Sequence, residues 1–302
     1  MKAALYRRTG GPDVLEWGEI DTPEPGPGEV RVRIRAAGVQ PIDCAIRGGL
    51  TPPWMTITLP GVPGNEFAGV VDRTGPGVDG ISAGQEVLGF RTGRSAAEFT
   101  VVPATQLTAK PAGMPWEVAG GFSGAAQVAD IALELLRLST AETLLIHGAA
   151  GNVGAVAAQL ALRSNNRVVG TASAANQDYL RDLGVEPVVY GPGLAGRLRA
   201  LLPGGADLVL DGAGGEALDL SLELCPDRSR ILTLVEHGRA AALGIRTTSD
   251  LRSAARLASL VALYTAGDLR FPVRRTYPMA RAADAHREVE TGHGRGKVVL
   301  VA

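Results

Sequence analysis

Residues 143–173 read TLLIHGAAGNVGAVAAQLALRSNNRVVGTAS. Thr143–His147 is a short, β-rich apolar run, and Gly148, Gly151 and Gly154 follow it as GxxGxxG. Between residues 153 and 163 the apolar positions recur at helical spacing, and residues 167–171 form a second strand. This order of strand, glycine turn, helix and strand is the phosphate-cradling half of a dinucleotide fold. Glycines let the backbone turn tightly and approach a pyrophosphate, whose charge sits at the helix N-terminus. The glycines alone are a weak signal; the strand before them and the helix after them supply the required context. The candidate contacts are Gly148, Ala149, Ala150, Gly151, Asn152 and Val153. The competing reading is a tight turn without a ligand.

The end of the second strand selects the cofactor. An NAD site usually places Asp or Glu there, on the ribose 2′-hydroxyl. Here the chain runs Gly170-Thr171-Ala172-Ser173-Ala174-Ala175-Asn176, with no acid. A carboxylate would repel a 2′-phosphate, whereas Ser173 and Asn176 can donate hydrogen bonds to it. NADPH is therefore the expected cofactor, with Thr171, Ala172, Ser173 and Asn176 in its site. No Arg or Lys lies in this loop, and the bland alternative is a loop that caps the next helix.

Bulk composition narrows the class. A chain of 302 residues suggests two domains, and 45% hydrophobic residues can fill sizeable cores. Lys and Arg number 30 against 31 Asp and Glu, so the balance suits no polyanion and no nucleic-acid partner is expected. There is no apolar run of membrane-spanning length and no N-terminal signal pattern, so the expectation is a cytoplasmic protein without a membrane partner. Cys44 and Cys225 lie far apart without a CxxC partner and read as buried thiols rather than a disulfide or a metal site.

Residues 1–110 read as all-β, with dense glycine and proline between short strands. Residues 116–138 read as largely helical, and strands and helices alternate from Thr143 onward. Residues 207–211 and 230–235 read as later buried parallel strands, and 243–248 as a strand at the sheet edge. Beyond them a helix is expected over 249–266, a strand near 271–277, a helix near 279–291 and a last strand over 297–301. That tail is expected to return to the β domain. The alternation argues for a doubly wound sheet.

Several ordered stretches together resemble the medium-chain dehydrogenase/reductase superfamily, and within it the zinc-free quinone oxidoreductases. They are MKAALYRRTGGPDVLEW (1–17), PEPGPGEVRVRIRAAGVQPIDCAIRGG (23–49), VPGNEFAGVV (62–71), HGAAGNVG (147–154), LDGAGGEALDLSLEL (210–224) and ETGHGRGKVVL (290–300). The resemblance covers essentially the whole chain. It implies an α/β protein with a GroES-like β domain and a Rossmann domain whose doubly wound parallel sheet binds the cofactor. The GroES-like part would take residues 1–112 and 248–302, and the Rossmann domain 113–247. An active cleft would lie between them, at the carboxyl ends of the Rossmann strands. Gly212, Ala213, Leu234 and Val235, after two later strands, would complete the cofactor site.

Zinc members of the superfamily carry Cys where Gln40 stands, His where Asn65 stands and a further Cys near Gly120-Gly121. The four-cysteine lobe is also missing. Zinc needs three or four convergent Cys, His or carboxylate ligands, and Glu66 alone cannot supply them, so no metal is expected. Without a Lewis acid, alcohol oxidation is disfavoured. A quinone or enone instead accepts hydride at carbon and delocalises the charge onto oxygen, so positioning and one donor suffice. The resemblance places Gln40 and Asp43 at the catalytic segment. Gln40 stands where the branch usually has Asn and can donate through its amide; Asp43 matches the Asp of the V-N-P-x-D pattern and orients the loop. Trp54, in the apolar loop 50–59, and Asn65 are candidate substrate contacts. Some enoyl reductase relatives use a Tyr proton donor just downstream; residues 46–54 hold none, so solvent is the expected proton source. The bland reading of Trp54 is core packing, and of His147 a packing residue.

The leading expectation is thus an NADPH-dependent reductase of a small hydrophobic quinone or α,β-unsaturated carbonyl, working as a homodimer. An enoyl-thioester or polyketide-tailoring reductase is the second. A non-catalytic NADPH-binding protein, structural or RNA-associated, is the third.

Overall fold

The computed structural model describes residues 1–52, 56–292 and 294–302. It divides into two compact units, Met1–Gly124 with Ser253–Ala302, and Ala125–Arg252.

The first unit opens with the antiparallel pair β1 (Lys2–Leu5) and β2 (Glu16–Glu19). Then come β3 (Glu29–Val39), β4 (Glu66–Thr74), β5 (Glu86–Phe90), β6 (Phe99–Pro103) and β7 (Leu107–Ala109). In β3 the buried Val30, Val32 and Ile34 alternate with charged Arg31, Arg33 and Arg35, the period-2 pattern of a half-buried strand. Those valines and Ile34 share one core with Phe67, Val71, Val87, Met279 and Ala285. The expectation of an all-β stretch fails at α1 (Pro41–Gly48). Pro41 opens this helix, the Gln40 and Asp43 side chains form a reciprocal capping box, and Gly49 stops it at φ +115°.

The next helix, α2 (Trp116–Leu135), spans the division at 124/125, later than the expected junction at 112/113. In the second unit β8 (Thr143–His147) leads through the glycine turn into α3 (Asn152–Arg163) and β9 (Arg167–Ala172). There follow α4 (Gln177–Asp182), β10 (Glu186–Val189), α5 (Leu194–Leu201), β11 (Leu208–Asp211), α6 (Gly215–Leu224), β12 (Ile231–Thr233), α7 (His237–Leu243) and β13 (Arg246–Thr247). Among the described residues the sheet order is β10-β9-β8-β11-β12-β13, and every pairing is parallel. This is the doubly wound order 3-2-1-4-5-6, whose direction reverses between β8 and β11. Leu144, Leu145 and Ile146 of β8 are each 0% exposed, as expected of a strand covered on both faces. The edge strand expected over 243–248 is only two residues long, because His237–Leu243 is helical and Gly244 ends that helix in the left-handed region.

The chain then re-enters the first unit. The expected helix over 249–266 begins later, as α8 (Ala254–Thr265), where the Ser253 side chain caps it by accepting from Arg256 N. After β14 (Val273–Pro278) and α9 (Ala282–Glu290), β15 (Lys297–Val301) pairs antiparallel with β3. The tail thus completes the N-terminal sheet. Among the described residues no helix is long and apolar enough to cross a membrane.

Candidate functional site

The candidate cofactor residues of the second unit gather at the carboxyl ends of its strands. Gly148 adopts φ +74°, which favours glycine, and directs the chain off β8. Ala149 N donates to Thr171 O at 2.9 Å and Gly151 N to Gly148 O at 3.0 Å, closing the turn. Gly151 is the exposed N-cap of α3, followed by Asn152 and Val153. A Cβ at Gly151 would meet only Gly148 O, at 3.2 Å, so the space beyond it is open. At Gly154 a Cβ would strike Gly148 O at 2.6 Å and the Ala149 Cα at 2.9 Å. The first glycine therefore keeps a surface clear, and the second lets helix and turn touch. An open turn at the start of a twelve-residue helix fits a pyrophosphate.

At the end of β9, Thr171 and Ala172 are buried, while Ser173 and Asn176 are half-exposed. Asn176 Nδ2 donates to Ser173 Oγ at 3.1 Å, and Gln177 holds the carbonyls of Ala172 and Ser173. Of this set, Ser173 and Asn176 offer polar atoms to a ligand, and Thr171 supports the turn. Gly212, Ala213 and Val235 are exposed and Leu234 half-exposed, on the turns after β11 and β12.

In the first unit, Gln40, Asp43 and Asn65 come together around a buried acid. Gln40 N donates to Asp43 Oδ2 at 2.8 Å, and Asn65 Nδ2 donates to Asp43 Oδ1. Gln40 Nε2 donates to Glu66 Oε1 at 2.8 Å, and Gly124 N to Glu66 Oε2 at 2.6 Å. Lys297 Nζ lies 2.5 Å from Glu66 Oε1. Glu66 is 0% and Lys297 2% exposed, so this is a desolvated ion pair. A Cβ at Gly124 would overlap Gln40 Nε2 and push that amide off Glu66. With its amide oxygen in the cap and one N–H on Glu66, Gln40 keeps its second amide N–H for a ligand. Asn65, 8% exposed, is committed to Asp43. Trp54 lies outside the described residues.

Burial pushes the Asp43 carboxyl up to about 6, against the opposing pull of the Gln40 N–H, Lys297 and Asn65. Burial holds the His147 imidazole down at about 4, although Asp211 acts the other way. At neutral pH His147 is uncharged, and Nδ1 lies 3.2 Å from Thr171 Oγ1. Cys44 and Cys225 are both free and buried, and burial raises both thiols, Cys44 to about 12. Neither is a nucleophile in this state.

The sequence pointed to Gln40, Asp43 and Asn65 but not to the Glu66–Lys297 pair that organises them. The available signals were an acid within the apolar stretch 62–71 and a lysine opening the apolar strand KVVLV. Among the described residues no three His, Cys, Asp or Glu side chains converge as metal ligands.

Residues 26–133 match the alcohol dehydrogenase GroES-like domain, and residues 182–300 match a family described as zinc-binding dehydrogenase. Over 308 residues and 94% of its length the chain is 35% identical to the pikromycin polyketide synthase component PikAII of Streptomyces venezuelae. It spans only 8% of that protein. It is 31% identical to a quinone oxidoreductase of Pseudomonas aeruginosa, with 99% of each chain covered. A mycobacterial protein solved in complex with NADPH superposes with a TM-score of 0.87 at 30% identity, covering 100% of both chains. With the quinone oxidoreductase and the mycobacterial protein matched at full length, and amides at positions 40 and 65, the chain belongs to the zinc-free quinone oxidoreductase branch of the medium-chain dehydrogenase/reductase superfamily, a group of oxidoreductases.

Proposed function

We propose that this chain is an NADPH-dependent, zinc-independent reductase that delivers hydride to a quinone or an α,β-unsaturated carbonyl. The observation that carries the reading is the β8 turn opening α3, followed by a β9 end where Ser173 and Asn176 replace an acid. Gly148 to Val153 hold the pyrophosphate, and Ser173 and Asn176 hold the 2′-phosphate. Gly212, Ala213, Leu234 and Val235 face the rest of the cofactor. Bound NADPH supplies the hydride. Gln40, fixed by Glu66 and by its own cap on Asp43, offers its second amide N–H to the acceptor oxygen. Asn65 supports Asp43, and solvent protonates the product. The reading extends to a cytoplasmic homodimer joined at the β13 edge of the sheet.

The test is NADPH consumption with a simple quinone and a simple enone, with and without chelator. Turnover that survives chelation, without stoichiometric zinc, is expected. Zinc at one per chain with chelator-sensitive turnover would overturn it. Cofactor binding without turnover on any acceptor would favour the non-catalytic reading. The similarity to a stretch of a polyketide synthase favours a second enzymatic reading, a reductase of enoyl thioesters. Faster turnover on a short enoyl thioester than on the free enone would select it.

A further inference from the structure

The second unit carries a row of polar residues at the carboxyl ends of four adjacent strands. His147 pairs in register with Thr171, Asp211 with His147, and Thr233 with Asp211. Thr171, His147, Asp211 and Thr233 are 2%, 1%, 0% and 0% exposed. Buried polar groups are costly unless hydrogen-bonded; the bonds of Thr171, Asp211 and Thr233 go to the turns, while His147 Nδ1 meets Thr171 Oγ1 and its Nε2 has no partner among the described residues.

Thr171 Oγ1 accepts from Gly148 N at 3.3 Å. Asp211 Oδ1 accepts from Ala213 N at 2.9 Å and Gly214 N at 2.8 Å. Its other oxygen accepts the Thr233 hydroxyl at 2.8 Å. Thr233 Oγ1 in turn accepts from Val235 N at 3.2 Å and Glu236 N at 3.0 Å. Glu236 Oε1 accepts from Gly215 N at 2.8 Å and so ties the last two turns together.

The strand order assigns each turn its half of a dinucleotide. The β8 turn and the β9 end lie on one side of the reversal, where the adenosine phosphates bind; the β11 and β12 turns lie on the other. We infer that Asp211 and Thr233 are positioning residues for the nicotinamide half of the cofactor, acting through the turns 212–215 and 234–236. They fix those backbones before binding, so the cofactor does not have to order them. The inference rests on the NADPH reading of this unit.

Thr233→Val removes the hydroxyl at nearly constant shape, and Thr233→Ser keeps it. Calorimetric titration with NADPH and with 2′,5′-ADP, which holds only the adenosine phosphates, separates positioning from general damage. Thr233→Val should weaken NADPH about tenfold, the effect of orphaning buried hydrogen-bonding groups. It should leave 2′,5′-ADP affinity unchanged, and Thr233→Ser should restore NADPH affinity. Equal loss for both ligands, unchanged NADPH affinity in Thr233→Val, or failure of Thr233→Ser to restore it would overturn the assignment. Should Thr233→Val fail to fold, Asp211→Asn decides by the same titrations, because its amide nitrogen cannot accept from the Thr233 hydroxyl, whose oxygen already accepts from Val235 N and Glu236 N. If the unmodified chain binds neither ligand, the NADPH reading and this inference fall together. If it binds both and the variants match it, this inference alone falls.

Discussion

Lys297, the first residue of β15, closes a 2.5 Å ion pair with Glu66, the first residue of β4. Both side chains are almost wholly buried, so their solvation is lost, and their mutual contact, the donors from Gln40 and Gly124 and the nearby Asp43 offset that loss. Removing one charge strands the other. Lys297→Met should cost about 3–5 kcal/mol of stability. The double variant Lys297→Met/Glu66→Gln should cost clearly less than the sum of the two single changes. Urea unfolding of the four proteins checks this, and strict additivity would show that the pair is not coupled.

In the proposed function, cofactor choice turns on the end of β9. Ser173 is half-exposed and its hydroxyl meets Asn176 rather than a buried partner, so it can turn to a phosphate. NADPH should bind more tightly than NADH, and Ser173→Asp should reverse the order by repelling the 2′-phosphate. Calorimetry with both cofactors decides; equal affinities in the unmodified chain would remove the basis for NADPH.

The two glycines at the start of α3 should fail differently. Gly151→Val puts a side chain into the open space over the turn and should abolish NADPH binding while the melting temperature stays close to that of the unmodified chain. Gly154→Val drives a side chain into Gly148 O and the Ala149 backbone and should cost about 1–3 kcal/mol or more in stability. Measuring affinity and melting on both variants separates them. Normal NADPH binding by Gly151→Val would mean that this turn is not the phosphate site.

Acidification should destabilise the protein between about pH 6.5 and 4. Burial holds His147 at about 4, and burial with the neighbouring Arg47 holds His286 at about 3. The unfolded chain protonates both near 6.5, so their contribution is full above that pH and is lost on descent. Asp43 has the opposite sign: raised from 3.8 to about 6, its contribution is full at low pH and is lost as pH rises through 6. Two histidines against one carboxyl leave a net loss on acidification. His286→Gln should flatten the slope of stability against pH in this window. Denaturant titrations at several pH values test it, and an unchanged slope in the variant would refute it.

The sequence by itself determined the β8–α3–β9 unit, because a glycine turn between an apolar strand and an amphipathic helix is specified by neighbours in the chain. It likewise determined the return of residues 297–301 to the N-terminal sheet. Local rules failed at α1, where an eight-residue helix depends on one proline and the reciprocal Gln40–Asp43 cap within a β-rich region. They failed also at β13, shortened by a helix whose periodicity is brief. Tertiary structure alone decided that Glu66 meets Lys297 and that Asp211 meets Thr233. Neither pair has a sequence period, since each joins separate strands, and a buried acid is readable as a site only once the fold has brought its donors to it.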